Sequence, residues 1–86
     1  MEMEAAITEL REAEVAREAP AAELAKLEEQ FAAIGRQMQA ATTEPQKAEL
    51  AREQQMVLNA TTQPMKALAL ADARIAAARL LVGRSA

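Results

Sequence analysis

Cysteine, histidine, tryptophan and tyrosine are all absent from this chain, and Phe31 is its one aromatic residue. Without cysteine there is no disulfide framework and no thiolate metal site, and the redox compartment is left open. Without histidine the commonest general base and the commonest metal ligand are both missing. With two glycines there is no glycine-rich loop to cradle a phosphate. A single aromatic gives no platform on which bases could stack, and the net charge of −3 disfavours a phosphate backbone. No uncharged apolar run approaches the roughly 20 residues of a membrane span. The opening MEMEAAITEL is acidic, where a secretory signal is basic and then apolar. The expectation is a cytoplasmic chain that is not an enzyme, uses no cofactor or metal, and engages neither nucleic acid nor membrane.

What the chain has in abundance is alanine, which supplies 23 of its residues. Alanine favours helix at almost no cost in side-chain entropy, but it contributes little burial. Among 86 residues that leaves 21 larger apolar side chains, five of them methionine. A chain of this size buries only about 60% of its unfolded surface, so the core is thin unless a partner extends it.

The apolar residues are ordered. Leu24, Leu27, Phe31, Ile34 and Met38, closing on Ala41, repeat at three and four, the pattern of a helix that shows one narrow stripe to another helix. Counted backwards, the register passes through Pro20, Arg17, Ala13, Leu10, Ala6 and Met3, interrupted at Pro20 and Arg17. A second stripe runs Leu68, Ala71, Ile75, Ala78, Val82, widened by Leu70, Leu80 and Leu81. Gly83 then offers a helix C-cap. These two stripes are each other's natural partners. Between them, residues 48 to 60 are helical in composition but poorly amphipathic, with Gln54 and Gln55 breaking the pattern.

Thr42 and Thr43 mark the clearest boundary. Thr43-Glu44-Pro45-Gln46 combines a threonine N-cap, proline in the first turn and glutamine three residues on, the elements of a capping box. The phrase TTxPxKA returns nineteen residues later, from Thr61 to Ala67. Duplication and two independent uses of one helix-start grammar explain it equally well.

Two architectures follow. One is a cluster of four short helices divided at Pro20, Thr42 and Thr62. The other is an antiparallel helical hairpin with kinked arms: arm 1 over about 3–41 with a break at Pro20, a turn at 42–43, and arm 2 over about 44–82 with a break at Pro64. In the hairpin, residues whose numbers sum to about 85 lie level, which brings both proline breaks to one height. That coincidence favours the hairpin. Arms of about 60 Å on so little apolar surface would then complete a bundle by self-association or by binding a partner.

Charge agrees with that orientation. Residues 1–30 carry nine acids and three bases, and residues 31–86 four acids and seven bases. Folding back sets Glu2, Glu4, Glu9, Glu12 and Glu14 beside the end carrying Arg74, Arg79 and Arg84, and such complementarity selects orientation. The carboxylates Glu12 and Glu14, Glu28 and Glu29, and Glu49 and Glu53 have no base beside them, nor have Ser85 and the threonines, so they read as solubilising surface. Gly35, inside the first stripe, costs about 1 kcal/mol against alanine unless another backbone approaches it closely. Met38, Met56 and Met65, beside Leu58 and Leu68, either fill core gaps or make a pliable surface for a partner helix.

The run Thr43-Glu44-Pro45-Gln46-Lys47-Ala48-Glu49, with a helix ending Ala73-Arg74-Ile75-Ala76-Ala77-Ala78-Arg79-Leu80-Leu81, resembles the small all-helical chaperones and co-chaperones of bacterial type III secretion systems. The resemblance covers about residues 24–82 and lies in helical texture, with two further prolines and fewer aromatics than that family. It implies a chain that shields a helical subunit before export. The partner-binding residues would be Leu24, Leu27, Phe31, Ile34, Met38, Leu68, Ile75 and Val82. An inhibitor of a host protein of the phage or plasmid kind, using the acidic half, and a structural homo-oligomeric coiled coil are the other readings.

Overall fold

In a computed structural model, described over residues 2–85, the chain is an all-α antiparallel hairpin. The elements are α1 (Glu2–Ala40), α2 (Glu44–Ala60) and α3 (Thr62–Ser85), with no strand among the described residues. The side chains of Glu2 and Ser85, both weighed from the sequence, lie outside the described set.

The turn forms as its residues dictate. Thr43 is extended (φ −114°, ψ 150°), and its side-chain oxygen accepts the Gln46 N–H at 3.3 Å. Gln46 Oε1 reaches back to accept the Thr42 N–H at 3.3 Å, so two donors at the helix start are satisfied reciprocally. The box therefore closes on the residue before the cap.

The second TTxPxKA phrase behaves differently. Thr61 stays helical (φ −75°, ψ −17°), its hydroxyl donates to the Leu58 carbonyl at 2.6 Å, and the Met65 N–H still reaches the Thr61 carbonyl at 3.0 Å. Pro64 has no N–H to give the Ala60 carbonyl, and the ladder lapses there for one residue without reversing the chain. What decides between the two outcomes lies outside the phrase. Val57, Thr61, Pro64 and Leu68 keep the spacing four, three, four across the joint, so both sides of it still face α1. At Thr42 the stripe has ended and nothing holds the helix on course.

The sequence reading also broke arm 1 at Pro20, and here the structure differs. α1 runs unbroken through it. The proline forfeits one backbone hydrogen bond, but its ring is buried on the face turned toward the other arm, and alanines at 19, 21 and 22 crowd it little. The Gly83 cap is likewise unused. α3 continues to Ser85, and no glycine has positive φ.

The molecule is a rod of 64 × 16 × 15 Å with a Cα radius of gyration of 19.3 Å, against roughly 12 Å for a compact domain of this length. Two helices side by side have no interior beyond their shared seam. Along the half nearest the open end that seam is built from small residues. Ala6, Ala13 and Pro20 on α1 are buried at intervals of seven, and Pro64, Ala71 and Ala78 repeat the interval on α3, with Ile75 between them. Small side chains at every seventh position let two backbones approach closely. Van der Waals contact between backbones then replaces the bulk the sequence lacks. Toward the turn, Leu24, Leu27, Ile34 and Met38 meet Leu50 and Val57, all half-buried.

Gly35 has no backbone neighbour that would explain it. A Cβ built there meets only the Gln54 Nε2 at 3.7 Å, ordinary contact with the end of a flexible side chain. Gly35→Ala is therefore expected to stabilise the hairpin by about 1 kcal/mol, read as a raised urea midpoint. A lowered midpoint would show that the arms need that notch.

Candidate partner-binding interface

The hairpin register is fixed by two ion pairs near the open end. Arg74 Nε donates to Glu9 Oε1 at 2.6 Å, and Arg17 Nε donates to Asp72 Oδ1 at 2.7 Å. Arg17, which interrupts the apolar stripe, thus finds its counter-charge across the seam. The hydrogen bond from Arg74, reinforced by its charge, holds the Glu9 carboxyl below the ordinary carboxylate range against a smaller opposing effect of desolvation. Arg74 is raised in turn by that bond, by the charge of Glu9 and, less, by the charge of Glu12.

A carboxylate with a depressed folded pKa binds fewer protons folded than unfolded. Its contribution is therefore present above the unfolded pKa and lost as the pH falls through the folded one. Thermal melts on either side of the carboxylate range should show the wild type losing more stability on acidification than Glu9→Gln. Equal losses would mean the pair contributes nothing to pH dependence.

The eight residues singled out from the sequence are mostly spent within the chain. Ile75 is buried, Leu24, Leu27, Ile34, Met38, Leu68 and Val82 are half-buried in the seam, and Phe31 stands exposed at its edge. Their first partner is the opposite arm. What the hairpin leaves uncovered is a different set: Val15, Met56, Leu58, Met65, Leu70, Leu80 and Leu81 are all exposed.

Two of these groups form coherent surfaces. On one side of the rod, midway along it, Leu27, Phe31, Val57, Leu58 and Thr61 line an apolar groove of about 200 Å³ with Glu28 at its rim. Met65 lies seven residues beyond Leu58 and so extends the same edge. On the outside of α3, pointing away from α1, are Leu70 and Leu80 with exposed alanines at 69, 73, 76 and 77. Another groove, near the open end, is charged, lined by Glu14, Arg17, Glu18, Asp72, Ile75 and Arg79.

The sequence signalled the groove through Leu27 and Phe31 of the first stripe and through Leu58, while Met38 and Met56 lie outside its lining. It misplaced Leu70 and Leu80, which read as a widening of the seam. Leu70 precedes Ala71 by one residue and Leu80 follows Ala78 by two, so at 100° per residue both stand well away from the buried face. Among the described residues no cluster of three acidic side chains is arranged to hold a metal ion, and no helix is long and apolar enough to cross a membrane.

The class this geometry defines is a two-armed helical rod with an open apolar side groove and a further uncovered apolar face. Comparison takes the assignment no further: no protein-family model, curated protein sequence or solved structure matches the chain.

Proposed function

We propose that the chain is a non-enzymatic interaction module of the cytoplasm that binds an amphipathic helix of another protein in the side groove of the hairpin. The observation that supports this most is the groove itself, an apolar trough between two helices rimmed by Glu28 and continued by Met65. A third helix laid there would meet Leu27, Phe31, Val57 and Leu58 at the three- and four-residue intervals that helix-in-groove recognition uses. Unbranched Met65, exposed seven residues beyond Leu58, gives that edge a pliable continuation. The sharpest form of this reading is a co-chaperone that shields a helical subunit before export. It rests on the resemblance in length, proline-marked hairpin and texture.

The test uses a synthetic 20-residue amphipathic peptide of leucine, alanine, glutamate and lysine with zero net charge, titrated into protein with labelled methyl groups. Saturable shifts at Leu27, Val57 and Leu58, abolished by Phe31→Ser, support groove binding. No shift at millimolar peptide, or shifts confined to α3, would contradict it.

A further inference from the structure

From Lys66 to Arg84 the outward side of α3 reads Lys66, Leu70, Ala73, Ala77, Leu80, Arg84, spaced four, three, four, three, four, and every member is exposed. That is a second heptad stripe, on the side of α3 away from α1 and separate from the groove. It carries no charge between its ends. The charged residues of α3 within that span are Asp72, Arg74 and Arg79: the first two are tied to Arg17 and Glu9, and Arg79 lines the cleft with Glu14 and Glu18.

The stripe also reads the same in both directions. A two-fold symmetric contact requires that if residue i meets residue j, then j meets i. Laid antiparallel on a copy of itself with the axis beside Ile75, Leu70 meets the copy's Leu80, Ala73 meets its Ala77, and Lys66 meets its Arg84. These are the alternating layers of an antiparallel coiled coil, with alanines at the centre where the two backbones come closest. As a rod the chain exposes 6458 Å², whereas a compact chain of 9.3 kDa exposes roughly 5,000 Å², so more of its surface is left uncovered than in a globule of that mass.

We infer that the outward face of α3 is a homodimer interface, in which two hairpins join antiparallel through Leu70, Ala73, Ala77 and Leu80 about a two-fold axis beside Ile75. The contact involves about five turns of helix at the open ends, so the rods overlap there and their turns point apart. With 1.5 Å per residue, such a dimer is about 100 Å long, while two hairpins stacked along their full length would keep the 64 Å of one. Both ends of the interface bring Lys66 against Arg84 of the copy. That repulsion limits affinity, and salt relieves it.

The experiment is sedimentation velocity with small-angle scattering over a thousandfold range of protein concentration, at low and high salt. The wild type should pass from 9.3 kDa toward twice that mass with a length near 100 Å, and high salt should strengthen association. Leu70→Ser with Leu80→Ser should stay monomeric with unchanged helicity, since both side chains lie outside the seam. Lys66→Glu replaces a repulsive pair by an attractive one at each end only if the helices are antiparallel, so it should tighten the dimer several-fold at low salt and reverse the salt dependence.

A monomer throughout would overturn the inference. So would a dimer that survives the double serine variant, or one that Lys66→Glu fails to tighten at low salt, as when parallel helices set residue 66 against its own copy and keep a like-charge pair. Peptide binding by the serine variant, and self-association by Phe31→Ser, separate a failure here from a failure of the groove reading.

Discussion

Ala13→Leu is expected to destabilise the hairpin by about 2 kcal/mol, more than any change at an exposed position, although leucine is the more hydrophobic residue and nearly as good a helix former. Ala13 is 0% exposed and sits in the stretch where both arms carry small residues at intervals of seven. A longer side chain there must displace the side chains or backbone that already enclose Ala13. Either the arms separate, exposing Ala71 and Ala78, or they shift and break the Glu9–Arg74 and Arg17–Asp72 pairs. For a small rod whose total stability is on the order of 5 kcal/mol, that is a large fraction. Ala16→Leu, three residues on but exposed, is the control and should be nearly silent. Urea denaturation followed by circular dichroism measures both. Equal midpoints for the two variants would mean that the alanines do not set the distance between the arms.

Ile75→Asp carries the second large effect. Ile75 is the largest side chain in the buried set, 8% exposed among alanines. The substitution removes about 2 kcal/mol of apolar burial and places a carboxylate where water reaches it poorly. The open end, where Ile7, Leu10, Leu68 and Val82 are only half-buried beside the seam alanines, should come apart, while the end closed by Thr43 and Gln46 survives. Hydrogen exchange should therefore lose protection across residues 71–82 and keep it near Val57. Uniform loss would mean that the rod melts as one unit. Unchanged protection would place Ile75 outside the seam.

These two sites show how far the sequence was readable. Spacing at three and four revealed both stripes, and the Thr43-Glu44-Pro45-Gln46 phrase revealed the turn, because both are local properties of the chain. The value of Ala6, Ala13, Ala71 and Ala78 was not readable in the same way. Weighed one at a time, alanine buries little surface. Its contribution here is the close approach of two backbones, which belongs to the pair of helices. Pro20 misled for a related reason, since a broken backbone bond is visible in the sequence and a ring buried against another arm is not.

The candidate site was read with the same bias. Leu24, Ile34, Met38, Leu68, Ile75 and Val82 were expected to face a partner because they form the best stripes, and the hairpin uses those stripes to hold itself together. What remains for other chains is what folding leaves over: the groove at Phe31 and Leu58, and the outside of α3 at Leu70 and Leu80. A lone valine such as Val15, exposed on α1, belongs to neither surface, and nothing in the structure explains it.

All of this depends on arm 2 staying straight through Thr61. Small-angle X-ray scattering extrapolated to zero concentration tests it most directly. The account predicts a monomer with a radius of gyration close to 19.3 Å and a length close to 64 Å. A value near 12 Å, that of a compact domain of this length, would mean that the chain folds back at Thr61 into a cluster of short helices. Leu58, Met65 and Leu70 would then lie inside it, and neither surface would exist.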